Sequence, residues 1–361
     1  MHRYFRPLDG VRSVAVGIVL AAHGGVAWFR SGGVGVDLFF VLSGFLITSI
    51  LAAETGATGR LSFRNFYLRR FLRLGPCLLL TCAFVGVGQW LALGRAPWTA
   101  IGIALTYSAN WVRAFSDTDL SWLLHCWTLA VEEQFYLLWP LVVLLLERRV
   151  PDARTRGLVL VIAALVIAVY RAGLVGVYSD ERINYGLDTR MDSLMAGAAL
   201  AYFARSLSAA GLGAATSRWL GRLLAPAALL VILATPRIVT WYSPWMGRFG
   251  YVIIAAASAL VLADLVLGRH SLLARPLSWA PLVYLGRISY GIYLLHLPIY
   301  FLVERALPGW TLMEKLPLKL ALSLGAAALS FHVLEQRFLR LKARFESRPP
   351  AGAAVPRRAA A

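Results

Sequence analysis

The sequence predicts an all-α integral membrane protein of about ten transmembrane helices, plus one short re-entrant or interfacial segment. Three observations predict it. Apolar residues make up 59 % of the 361 and charged residues 15 %, against about 45–50 % and about 25 % in soluble domains. The apolar residues gather in runs of about 20, the length a helix needs to cross a bilayer. The basic residues collect in the short gaps between those runs, where the positive-inside bias acts.

Taken in order, the runs lie near 11–29, 33–52, 74–93, 127–147, 157–178, 187–205, 219–235, 249–267, 282–303 and 316–334. The opening MHRYFRPLDG offers no small-residue cleavage site beside a short apolar core, so the first run reads as a retained helix rather than a signal peptide. An eleventh segment, 98–112 (WTAIGIALTYSANWV), is shorter and less apolar. Arginine and lysine decide its role. If it does not cross, the gaps on the N-terminal side hold 23 of these residues and the opposite gaps eight. If it crossed, ERRVPDARTR and the basic C-terminal tail would both face outward, against that bias. Ten spans with both termini cytoplasmic follow. Residues 1–340 then form one polytopic membrane domain, and 341–361 a basic, disordered cytoplasmic tail. No internal repeat or soluble domain interrupts the series.

The net charge of +18 could mark a nucleic-acid binder, but its charges sit in loops rather than in a soluble module. Nucleic acid is therefore not an expected partner; the lipid bilayer is. Cys77, Cys82 and Cys126 are odd in number and set in apolar surroundings, so they are expected as reduced, buried thiols. No metal-ligand spacing, P-loop or G-x-S-x-G is present.

Ionisable side chains within apolar spans are costly, and each is a candidate functional group. Arg12 and His23 share a face of the first helix, 11 residues and about 16 Å apart, with His23 expected deep in the membrane. Asp37 opens the second helix in GGVGVDLFFVLSGFLIT, able either to orient a catalytic group or to cap the helix. In RLSFRNFYLRRFLRLGP, Arg69, Arg70 and Arg73 form a cationic helical face suited to phosphate oxygens, or equally to anionic lipid. The stretch SWLLHCWTLAVEEQFYLLWP brings together His125, Glu132, Glu133 and Tyr136. Glu132 and Glu133 point about 100° apart, so one of the two is expected to line a cavity. Arg190 and Asp192 in GLDTRMDSLMAG, and Tyr293 and His296 in LGRISYGIYLLHLPI, complete the set. The first pair reads equally as a structural ion pair, and the second as an interfacial belt.

The ordered motifs LDGVRSVAVGIVLAAHGG, GVGVDLFFVLSGFLIT, FRNFYLRRFLRLGP, HCWTLAVEEQFYLLWP, DTRMDSLMAG and LGRISYGIYLLHLPI resemble the acyltransferase-3 family of membrane O-acyltransferases over essentially the whole chain. The resemblance implies transfer of an acyl group, most simply acetyl, from acyl-CoA (acetyl-CoA) to a hydroxyl of a glycan or macrolide-like acceptor. It implies that acyl-CoA acts as co-substrate, with no bound cofactor. It assigns His23 as catalytic and Arg70 and Arg73, with Arg12, to the donor. Glu132, Glu133 or Asp37 would fix the His23 tautomer, and Arg69 would join the donor arginines. One departure is SFHVLEQRF, where Glu335 is followed by Gln336 and Arg337 instead of the family's Glu-x-Pro. The soluble esterase-like domain that some relatives append is not expected here, so transfer would be completed within the membrane domain or with a separate partner. Buried Arg, Asp, Glu and His would also suit a proton-coupled secondary transporter, although transporters usually carry repeated halves.

Overall fold

The computed structural model describes residues 5–210, 212–342 and 345, and among these there is no β-strand. The tail expected from 341 onward lies almost wholly outside the described residues. Helix α1 (Arg6–His23) carries Pro7 in its first turn, where a missing N–H costs nothing, and stops at His23 because Gly24 and Gly25 follow, Gly25 at φ +84°. Helix α2 (Gly33–Thr58) closes on Gly59, and α3 (Phe63–Leu93) is capped by Ser62, whose hydroxyl accepts from the Asn65 amide. The weak segment breaks into α4 (Trp98–Leu105) and α5 (Ala109–Phe115). At about 1.5 Å per residue neither reaches across a core about 30 Å thick.

Helices α6 (Cys126–Arg149), α7 (Ala153–Leu174), the short α8 (Asp180–Tyr185) and α9 (Leu187–Ala210) follow. A π turn joins α10 (Ala214–Trp219) to α11 (Ala225–Ile238), and another leads into α12 (Tyr251–Leu267). After α13 (Ala274–Leu277) come α14 (Ala280–Arg287) and α15 (Ser289–Ala306), then α16 (Leu312–Ser330) and α17 (Gln336–Lys342).

Among the described residues seven helices, some continuous through π turns, are long and apolar enough to cross a membrane. An eighth crossing arises if α14 and α15, bent by 70° at their junction, count as one. This is a multi-pass membrane protein. Helices α1 and α9 are not among the seven, because they carry Asp9, Arg12, Asp188, Arg190 and Asp192. Of these, Asp9, Arg190 and Asp192 are buried in the bundle.

Close packing explains where they go. Gly44 on α2 and Gly197 on α9 face each other's backbones, and a Cβ on either would overlap the Leu194 or Val41 carbonyl. Small residues allow this approach, which van der Waals contact then rewards. Beside the crossing, Arg190 donates to Asp37 at 2.5 Å and Arg171 to Asp192 at 2.6 Å, all four buried. The Arg190 guanidinium also lies 3.5 Å from the Tyr251 ring centroid. This knot ties α2, α7, α9 and α12. Asp37 is therefore spent on Arg190 rather than on orienting His23, and Arg190 and Asp192 belong to the same structural knot. The cysteines are free and buried.

Candidate functional site

Three histidines far apart in sequence meet between α1, α6 and α15. His23 is the last residue of α1, His125 caps the start of α6, and His296 lies within α15. His23 keeps an exposed edge, while His125 and His296 are buried. The expectation of His23 deep within a long first span is thus revised, since the glycines end the helix at the histidine itself.

The local reason for the cluster is readable in α15. Pro298 has no N–H, so it leaves the carbonyl four residues earlier, that of Leu294, without its helical partner. His125 Nε2 takes that carbonyl at 3.0 Å. Tyr293 fixes the same corner: its hydroxyl donates to the His125 carbonyl at 3.0 Å and pairs with the Thr128 hydroxyl at 2.7 Å.

Backbone carbonyls settle the tautomers, because they only accept. His296 Nδ1 lies 2.5 Å from the Tyr293 carbonyl and must carry a proton. A neutral imidazole then has a bare Nε2, and this nitrogen is 3.0 Å from His23 Nδ1. His23 must donate from Nδ1, which leaves its own Nε2 as a free lone pair. His125 sits beside the pair, with ring centroids 5.3 Å from His296. Its buried Nδ1 has no hydrogen-bond partner among the described residues. No group of three potential metal ligands with suitable geometry occurs among the described residues.

Thr128 and Tyr293 also line a cavity of about 210 Å³ whose walls carry Arg12, Arg70, Arg73, Glu132 and Tyr136. The arginines lie at the Tyr136 end, since the Arg70 guanidinium stacks 3.5 Å over the Tyr136 ring centroid and donates to Glu133 at 2.9 Å. Thr128 is eight residues earlier on α6, about 12 Å along its axis. The cavity therefore runs from three cations to the edge of the histidine layer. None of the three histidines lines it; they stand behind Tyr293 and Thr128.

Within the cavity Arg12 is paired with Asp9 at 2.5 Å, whereas Arg73 has no ion-pair partner among the described residues. Glu132 accepts from Ser43 at 2.5 Å and faces the cavity, while its neighbour Glu133 turns to Arg70. Neither carboxylate touches His23. The partner that orients His23 is His296, a residue the sequence ranked lower because an interfacial belt explains an isolated histidine equally well. Arg69 leaves the donor set, since it points to Glu54 at 3.0 Å and to the Phe345 carbonyl at 2.8 Å. Adjacent helical positions diverge by about 100°, and Arg70 and Arg73 occupy the other face. Ser43 and Thr128 escaped the sequence reading. The i,i+3 spacing of His125 and Thr128 was the available signal. Glu335 is buried and accepts from Ser330 at 3.0 Å, and it does not line the cavity.

The fold and site define a multi-pass membrane protein with a cation-headed cavity that ends at Thr128 and Tyr293, beside a pair of coupled imidazoles. The chain belongs to the acyltransferase-3 family, whose model, described as an acyltransferase domain, matches residues 6–333. It is 35 % identical over 354 residues to the putative peptidoglycan O-acetyltransferase YrhL of Bacillus subtilis, covering 93 % of this chain and 55 % of that protein. To the peptidoglycan O-acetyltransferase OatA of Listeria monocytogenes it is 31 % identical over 316 residues, covering 84 % and 51 %. To the O-acetyltransferase OatA of Staphylococcus aureus it is 32 % identical over 323 residues, again covering 84 % and 51 %. The chain spans about half the length of the curated relatives it matches. No solved structure matches it.

Proposed function

We propose that this chain is an O-acyltransferase that moves an acyl group, acetyl in the simplest case, from acyl-CoA to a hydroxyl of a glycan. The observation that carries the reading is the cavity that joins Arg12, Arg70 and Arg73 to Thr128 and Tyr293, whose far side packs against the His23–His296 pair. Guanidinium forks match the phosphates of a coenzyme A head, and a cavity of this shape suits its flexible arm. Family membership favours acyl transfer over transport as the use of these buried charges.

In this mechanism His23 Nε2 takes the proton of the acceptor hydroxyl as the oxygen attacks the thioester carbonyl carbon. The carbon–sulfur bond breaks, and the imidazolium returns the proton to the departing thiolate, leaving an ester and free coenzyme A. During the charged stage His23 donates from Nδ1 to His296 Nε2, which holds the ring in place.

Replacing Arg70 and Arg73 together by alanine is expected to weaken acyl-CoA binding by a few kcal/mol, since charge-assisted hydrogen bonds are worth about 1.5–3 kcal/mol each. Titration of the purified variant with a non-hydrolysable acyl-CoA measures this. Unchanged affinity in a folded variant would reassign both arginines to structure or lipid contact.

Ten crossings follow if α1 and α9 also traverse the bilayer, with both termini cytoplasmic and the arginines on that side. A cysteine at Arg154 should then resist an impermeant thiol reagent in intact cells, while one at Asp180, beside Ser179, should react. The native thiols are buried and give little background. Labelling of Arg154→Cys would overturn the count.

A further inference from the structure

We propose that the open groove formed by α5, residues 116–124 and the start of α8 is the acceptor site, and that it selects a neutral or amine-bearing saccharide chain over an anionic one. This rests on the acyl-transfer reading above and adds to it a place and a charge preference for the acceptor.

Position is the first argument. The groove has a volume of about 800 Å³, within the range of about 300–1,000 Å³ common for ligand sites. On α6 and the turn before it, Leu124 lines the groove, His125 follows, and Thr128 lines the arginine cavity. On α15, Tyr293 lines the arginine cavity, His296 comes next, and Phe301 lines the groove. The histidine layer thus separates two cavities on both helices. On α3, Gln89 is bonded to Ser121 beside the groove. It lies 16 residues beyond Arg73, about 24 Å along the helix, which is most of the thickness of a bilayer core of about 30 Å. A polar acceptor entering here approaches the imidazoles from the side opposite the donor phosphates.

Surface chemistry is the second. Phe301 is exposed and is backed by the buried, nearly parallel Trp122 ring, centroids 6.3 Å apart, and Phe115 is 67 % exposed at the rim. Flat aromatic faces suit the C–H faces of sugar rings. Around them stand Asp117, Asp119 and Glu181, with Arg113 as the single cation in the lining. Arg113 is already engaged, donating to the Tyr185 hydroxyl at 3.0 Å. Asp117 and Glu181 have no ion-pair partner among the described residues, so their charge is left to meet a ligand. The arginine cavity has the reverse sign. A like-charged ligand in the groove is repelled, whereas carboxylates accept hydrogen bonds from sugar hydroxyls and pair with amines.

The test uses the full chain in detergent or liposomes, with acetyl-CoA and three acceptors: an oligomer of N-acetylglucosamine, one of glucosamine, and one of a uronic acid. Wild-type protein should favour the first two over the third by about tenfold or more. The double variant Asp117→Asn, Glu181→Gln should bring the ratio to within about threefold, with acetyl-CoA affinity unchanged. Separately, a bulky maleimide on Ser116→Cys should stop saccharide-dependent transfer and spare acetyl-CoA binding. Full transfer by the blocked protein, a wild-type preference for the uronate, or a discrimination against it that the double variant leaves unaltered would overturn the assignment. Wild type that binds acetyl-CoA but neither binds nor acylates any of the three would sink the groove proposal alone. Failure to bind acetyl-CoA at all would sink the acyl-transfer reading beneath it.

Discussion

His23→Ala is expected to lower acyl transfer by about 10²–10⁴-fold, the usual cost of losing a general base, while membrane insertion and acyl-CoA binding should stay near wild type. Both conserved functions follow from geometry. The side chain ends α1 with one edge exposed, so its removal leaves no large cavity, and the arginines that would hold the donor lie along a different stretch of the bundle. His296→Ala should cost less, because His296 positions the ring of His23 rather than touching the acceptor. The informative variant is His296→Gln. A glutamine carbonyl can accept from His23 Nδ1 as His296 Nε2 does, so it should recover part of the activity lost in His296→Ala. A merely structural His296 would show no such rescue. Turnover by His23→Ala at the wild-type rate would end the proposed mechanism.

The second large effect concerns stability. Asp37→Ala leaves Arg190 fully buried and without the carboxylate it meets at 2.5 Å. Breaking a buried ion pair from one side costs about 3–5 kcal/mol, because the surviving charge is uncompensated. Thermal unfolding of the purified variant should start well below wild type. The double variant Asp37→Ala, Arg190→Met removes both charges and should recover much of that loss, a coupling expected of residues in direct contact. Equal unfolding temperatures for Asp37→Ala and wild type would mean that the knot does not hold α2 to α9. Normal stability with abolished turnover would instead return Asp37 to the catalytic site.

Helical spacing made part of the site legible. Arg12 and His23 share a face by simple periodicity, and the same rule anticipated that one carboxylate of Glu132 and Glu133 would line a cavity. It also allowed Arg69 to be placed with Arg73, as i,i+4 neighbours. That inference failed because Glu54, from α2, takes the guanidinium. A one-residue step turns a side chain by about 100°, and only the neighbouring helices determine which of two adjacent faces looks inward.

By itself the sequence determined the solvent this chain requires, its helical class, the segment too short to cross, and the arginine and histidine residues that set it in its family. Those features are local: an apolar run, a glycine pair or an i,i+3 spacing acts over a few turns. The tertiary structure alone decided the partners. His23 and His296 are 273 residues apart, and Asp37 and Arg190 are 153. In a buried, low-dielectric interior a polar group must find a partner or remain costly. That rule predicts that such pairs exist, but which helices stand side by side depends on the packing of the whole bundle.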